Sequence, residues 1–335
     1  QTGAVAKHFD DFHEDQFDFH AYCVRKVTLR AYTEVLRFED TLWSEDYYFR
    51  AAEGIIQIYL HLSNHPEILE KDKEPDYSKM TAAERKRAKN IARKKRLQAE
   101  KKEAERKAKE AEATKNGDGK KNNSNNQQKA KKSPIDEDPD GAELLKKDVL
   151  EEAKKYSSIL SKYCPTRINT WCLQYDVSIR RTKPLLALQA LYKIKKIDSE
   201  SHELLERVVD FTLKLPALKD AEPRVMSVID ECCKELLGGK SVKDYVSDAV
   251  AVIEKNASTS LPMRVAVAEA MVKTGAKDAA SAATMITSAT SDAKNMTTEN
   301  CKLAVKALGR LGADAAKTEF ITATRKRFPR LEDLK

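Results

Sequence analysis

The residues most able to do chemistry lie between Arg85 and Leu97. Eight cations (Arg85, Lys86, Arg87, Lys89, Arg93, Lys94, Lys95 and Arg96) stand there with no acid among them. Arg85, Lys89 and Arg93 recur every four residues, so on a helix they share one face. Like charges at that spacing cost an isolated helix about 0.2–0.5 kcal/mol per pair. A polyanion removes that cost and releases its own counterions in doing so. No aromatic residue interleaves the run, which argues against stacked bases and for the phosphate backbone of structured RNA. The same residues form a two-part basic motif of the nuclear-import kind. From Glu100 to Ala113 the pattern changes to five acids against five bases. Glu103/Lys107 and Glu105/Lys109 are supporting i, i+4 pairs there.

Other candidates are weaker. His61 and His65 are four residues apart, the spacing at which two imidazoles share a helix face, but no third ligand stands at a metal-binding interval. A helix end at the surface is the plainer reading. The carboxylates Asp10, Asp11, Glu14, Asp15 and Asp18 lack calcium-loop spacing and read as acids complementing a helix N-terminus. The six cysteines form no CxxC pair and sit in apolar-periodic stretches, as reduced core residues do. GxSxG, HExxH, GxxxxGK[ST] and GxGxxG are all missing. We therefore assign no catalytic, cofactor-binding or metal-binding residue and expect no cofactor.

The elements that must position the basic run are helices. Ten glycines and ten prolines in 335 residues are too few for the turns of a sandwich or barrel. Residues 1–77 hold 13 of the 22 aromatic residues. Phe17, Ala21, Val24, Ala31, Val35 and Phe38 fall on one apolar face of a long helix. A second helix through Tyr48, Ala52, Ile55, Ile56, Tyr59 and Leu60 should end before Asn64-His65-Pro66. Phe17, Phe19, Tyr22, Tyr32, Tyr48 and Tyr59 are candidates for helix packing or a subunit interface. Residues 78–139 contain no aromatic. Thr81-Ala82-Ala83-Glu84 opens a charged helix as a capping box, and the Lys/Asn/Gln/Ser stretch beyond Asn116 reads as a disordered linker.

From residue 140 on, Pro165, Pro184, Pro216, Pro223 and Pro262, with Gly238-Gly239 and Gly275, punctuate helical segments. Trp171, Ala187, Leu191 and Asp198 fall close to the tetratricopeptide pattern. The last 96 residues carry 19 alanines, which predicts short, closely packed helices. The expected fold is all-α: a tetratricopeptide-like helical repeat with a long charged helix inserted and a C-terminal helical bundle. Its segments are residues 1–77, 78–139, 140–239 and 240–335.

Charge follows the same division. The whole chain carries +8, yet residues 79–132 hold 20 Lys/Arg against 7 Asp/Glu. A mildly acidic body thus bears one basic segment, the mark of a localised polyanion contact. No run approaches 18 apolar residues and no short apolar segment follows basic residues at the start, so neither a membrane span nor a secretory leader is expected. Gln1 in place of an initiator Met suggests part of a longer protein.

His8-Phe9, the hexapeptide Asp15-Gln16-Phe17-Asp18-Phe19-His20, Tyr22-Cys23, Thr28-Leu29-Arg30-Ala31-Tyr32 and Tyr48-Phe49-Arg50-Ala51-Ala52 resemble the auxiliary subunit of the NatA N-terminal acetyltransferase complex. The Lys/Arg-rich segment matches that family's layout. The resemblance implies a non-catalytic scaffold, here its C-terminal part, that holds a separate acetyltransferase catalytic subunit. It further implies anchoring to ribosomal RNA, a small helical regulatory protein at residues 241–335, and a cytoplasmic, ribosome-associated location with a nuclear pool. The competing expectation is a stand-alone RNA-binding or nuclear helical scaffold without an acetyltransferase partner.

Overall fold

The computed structural model describes residues 2–14, 29–70, 147–218, 223–256, 258–289 and 296–329. Among them every regular element is helical. The chain divides into two units, residues 1–60 with 149–335, and residues 61–148.

The first unit opens with α1 (Thr2–Glu14) and α2 (Leu29–Thr41), and a 3₁₀ turn, Leu42–Ser44, leads into α3 (Asp46–Asn64). Asp10, Asp11 and Glu14 thus end α1 rather than begin a helix. The expected N-terminal role is reversed, because carboxylates at a C-terminus oppose the macrodipole. Phe38, expected on an apolar face, is 43% exposed. The second predicted helix is α3, and Tyr48, Ala52, Ile55, Ile56, Tyr59 and Leu60 are all buried.

The chain re-enters the unit at α5 (Val149–Tyr163). Trp43 meets Tyr163 at 6.4 Å between ring centroids. Tyr48 lies within electrostatic reach of Tyr156, and Tyr59 of Glu152 and Tyr156. Residues early in α3 thus face residues late in α5 and the reverse, so the two helices run antiparallel. Residues late in α3 therefore lie beside the start of α5.

Next come α6 (Ile168–Arg180), α7 (Pro184–Ile197), α8 (His202–Lys214) and α9 (Pro223–Leu236). α6 packs on α5 and α7, α8 on α6 and α7, and α9 on α7. This stacking of helices on their predecessors is the tetratricopeptide-like arrangement. Trp171 is buried on α6, Ala187 and Leu191 are fully buried on α7, and Asp198 caps α7. Three of the four repeat positions legible in the sequence pack in the core of this hairpin, and the fourth ends its second helix. Pro184 and Pro223 each open a helix, where their missing N–H costs nothing.

The C-terminal bundle comprises α10 (Val242–Lys255), α11 (Leu261–Thr274), α12 (Ala279–Thr287), α13 (Thr298–Arg310) and α14 (Asp314–Arg327). α11 packs against α8, α10, α12 and α13. Its residues Leu261, Pro262 and Arg264–Met271 are all buried, so it has no polar stripe and acts as the central rod. Alanines at 266, 268, 270, 282, 283, 304 and 307 are buried around it and let the backbones approach. The buried Arg264 guanidinium donates to Met285 O at 3.3 Å, Ser288 Oγ at 3.2 Å and Thr259 O at 3.4 Å. It ties the end of α12 to the turn before α11.

The second unit is described at residues 61–70 and 147–148. There α3 ends and α4 (Pro66–Glu70) begins. The His61 and His65 rings stand 4.5 Å apart, and His65 Nδ1 pairs with Glu67 Oε1 at 2.9 Å.

Four helices, α6, α9, α11 and α13, leave by the same left-handed turn. In each, the amide beyond that turn residue reaches back five residues: Lys183 to Ser178 O (2.9 Å), Gly239 to Lys234 O (2.7 Å), Ala276 to Met271 O (2.9 Å) and Ala313 to Leu308 O (3.1 Å). Gly238, Gly275 and Gly312 take the left-handed position in three, but Thr182, with φ of 54°, takes it in α6. A β-branched residue is poorly suited to that conformation. Thr182→Gly should stabilise the fold by about 1 kcal/mol, raising Tm by about 2–4 °C for a domain of this size; calorimetry checks it.

Candidate functional site

Charged side chains link helices of the first unit at three places. At the α3–α6 junction, Arg167 precedes α6, pairs with Asp46, and stacks its guanidinium 4.5 Å over the Phe49 ring. Further along α3, Asn169 donates to Glu53 Oε1 at 3.4 Å. Between α6 and α8, Arg207 bridges Asp176 (3.0 Å) and Glu203, and the Cys172 thiol lies 3.6 Å from Glu203. Tyr175 donates to Asp210 Oδ2 at 2.8 Å. In the C-terminal bundle, Glu269 of α11 holds Arg310 of α13 and, at 3.5 Å, Lys273.

Burial and neighbouring charges shift these groups in opposite directions. Burial opposes the charge on Arg207, but Asp176, Cys172 and Glu203 together hold its pKa above the ordinary arginine value. Burial pushes the Cys172 thiol far up and that of Cys233 up to about 11, which makes them packing groups and poor nucleophiles. Cys164 and Cys301 are buried too, and Cys232 is half-buried, all as free thiols. Beside α8, a cleft of about 820 Å³ opens between the α7–α8 turn, the α9–α10 turn and α10. Leu205, Tyr245 and Ile253 line its floor, and Lys240 pairs with Asp248 at its rim at 2.5 Å. An apolar floor with a charged rim suits a protein segment better than a small metabolite.

Arg85, Lys86, Arg87, Lys89, Arg93, Lys94, Lys95, Arg96, Phe17, Phe19 and Tyr22 lie outside the described residues. Tyr48 and Tyr59 are buried and Tyr32 is half-buried. Tyr48 sits in an aromatic cluster with Phe9 (5.3 Å) and Trp43 (4.8 Å). Its neighbour Tyr47 is 77% exposed and Ile58, beside Tyr59, is 54% exposed. Of the positions named as candidates for helix packing or an interface, Tyr48 and Tyr59 are on the packed side of α3, and its solvent face carries Tyr47 and Ile58 instead. The charged ladder was partly legible: Glu203 and Arg207 stand at i, i+4, whereas Asp176 joins them from 31 residues away. Among the described residues no helix is long and apolar enough to cross a membrane, and no three His, Cys, Asp or Glu side chains gather as a metal site.

Two measurements test this geometry. Tyr48→Ala should cost about 3–5 kcal/mol of stability, as removal of a buried ring does, whereas Tyr47→Ala should stay within about 0.5 kcal/mol; denaturant titration separates them. Glu53 has its pKa raised, by burial first, and Asn169 and Arg167 only partly offset this. A carboxyl raised in the folded state binds a proton more tightly there than when unfolded, so its ionised form costs stability above that folded pKa. Glu53→Gln should therefore raise stability at neutral pH. The gain should fade as acid protonates the wild-type carboxyl in both states.

Comparison with known proteins gives this geometry a context. Residues 1–194 match the family model described as N-terminal acetyltransferase A, auxiliary subunit. The chain is 38% identical over 211 residues to the N-terminal acetyltransferase A complex auxiliary subunit NAA15 of Arabidopsis thaliana, covering 63% of this chain and 22% of that protein. It is 30% identical over 258 residues to the human N-alpha-acetyltransferase 16, NatA auxiliary subunit, covering 76% of this chain and 29% of that one. A solved structure of Naa15/Naa10 bound to HypK-THB aligns at a TM-score of 0.46 and 24% identity, over 69% of this chain and 25% of that chain. The chain thus spans about a quarter of the length of the curated relatives it matches.

Proposed function

The chain belongs to the family of N-terminal acetyltransferase A auxiliary subunits, and from that premise we propose a non-catalytic scaffold that carries the acetyltransferase catalytic subunit to the ribosome. The catalytic subunit brings the acyl-transfer chemistry and its acetyl donor. This chain contributes a stack of helices held by a continuous core and a phosphate-binding segment, Arg85–Arg96, that contacts ribosomal RNA. A small helical regulatory protein binds the C-terminal bundle. The location is cytoplasmic and ribosome-associated, with a nuclear pool directed by the two-part basic motif.

One observation carries the reading. The family match over residues 1–194 includes the stretch in which the chain's positive charge is concentrated. This supports reading scaffold and RNA contact as parts of one polypeptide. The charged ladder is already paired internally, Asp46 with Arg167, Asp176 with Arg207 and Glu269 with Arg310. Such pairs give a surface defined geometry for a protein partner more than raw affinity. The unbalanced cations of 85–96 supply the long-range pull toward phosphate.

Charge reversal tests it. Changing Arg85, Lys89, Arg93 and Arg96 to Glu keeps good helix formers, so the complex should still assemble and acetylate short peptides. Each phosphate left without its cation flattens log K against log[salt] by about 0.7–0.9, so four such reversals should reduce the slope for ribosome binding by about 3. Reversal of Lys101, Lys102, Lys107 and Lys109, which adjacent acids already balance, should have a smaller effect. Equal weakening by both sets would leave net charge alone as the cause. Failure of the full-length protein to co-purify with an acetyltransferase subunit would favour a stand-alone RNA-binding scaffold.

A further inference from the structure

Thr182 occupies the one described left-handed helix exit that does not use glycine, and nothing in the packing asks for its side chain. It is exposed, and among the described residues its hydroxyl makes only a local bond, donating to Arg181 O at 2.7 Å. An unfavourable backbone state retained at an exposed turn points to a use for the side chain. What surrounds the hydroxyl indicates the use. Arg180 and Arg181 precede it and Lys183 follows it. Pro184 then fixes the start of α7 and keeps the turn from joining the helix. An accessible hydroxyl in a short non-helical stretch, immediately after two arginines, can be presented to an acidic protein-kinase cleft once Arg180 leaves Asp176 and Arg181 leaves Glu151.

We propose that Thr182 is a phosphorylation site for an arginine-directed Ser/Thr kinase. The Thr182 oxygen attacks the γ-phosphorus of a nucleoside triphosphate, and its proton passes to the kinase's base. The bond from the γ-phosphorus to the bridging oxygen breaks, and the nucleoside diphosphate leaves. The product carries about −2 charge and three acceptor oxygens. Its consequence follows from Arg181, which is 15% exposed and pairs across the hairpin with Glu151 in the first turn of α5. A phosphate one residue away is a doubly charged competitor for that guanidinium and displaces a single carboxylate. Phosphorylation thereby draws Arg181 away from α5 to its own turn and loosens the first turn of α5, where the chain re-enters the first unit.

The test uses the full-length chain, a nucleoside triphosphate and an arginine-directed kinase, with phosphate placed by peptide mass mapping. One phosphate is expected at Thr182 in the wild type, and none at that position in Thr182→Val. Modification of other hydroxyls with Thr182 left bare would overturn the site. Amide exchange then reads the consequence. The phosphorylated chain should exchange about two- to fivefold faster over residues 149–153, the factor that removal of one exposed ion pair allows. Glu151→Gln should show the same acceleration without phosphate, and phosphorylating that variant should add nothing further. Unchanged exchange in the phosphorylated wild type would overturn the transfer of Arg181.

Discussion

Two consecutive residues of α8 face different cores, and the continuity of the first unit depends on that. Val208 packs with Leu204 and Phe211 among the residues of α6, α7 and α9. Val209, with Leu205, packs among those of α10 to α14. Both valines are almost wholly buried. A helix with one apolar stripe serves one core, but α8 carries two adjacent stripes and is covered on both, by α6 and α7 on one side and α11 on the other. Val242 and Tyr245 also touch both clusters. Repeat and bundle therefore cannot separate without exposing apolar surface from each at about 25 cal/mol per Å².

That shared helix explains where charge is allowed. With its two stripes buried, α8 has room for polar residues only between and beside them. Glu203, Arg207 and Asp210 fall there and pair at once with α6 through Asp176 and Tyr175. In the bundle, Glu269 on the fully covered α11 survives burial only because Arg310 and Lys273 neutralise it. The body of the protein thus satisfies many of its own charges, and the surplus of cations is left to the segment between α3 and α5.

Helix existence and most boundaries were legible because prolines and glycines mark them: Pro184, Pro223 and Gly275 stand where the elements begin or end. The tetratricopeptide positions were legible because their geometry restricts residue type, since Ala187 and Leu191 leave no room for larger or polar side chains at 0% exposure. Two things were not legible. In α1, Val5, Phe9 and Phe12 do stand at helical spacing, but what Phe9 packs on lies far along the chain, at Trp43 and Tyr48. Local periodicity marks an apolar face without saying what packs on it. The part of the charged ladder that joins different helices was hidden likewise, because Asp176 and Arg207 or Asp46 and Arg167 become neighbours only after α6 has packed.

The antiparallel pairing of α3 with α5 brings the start of α5 back beside α3. A helical hairpin closed by Trp43 against Tyr163 at one end, and by Tyr59 near Glu152 toward the other, fixes the two points where the intervening chain leaves and returns. Loop-closure entropy grows only logarithmically with length, each doubling adding about 0.6 kcal/mol. A long insertion at that position therefore costs the scaffold little.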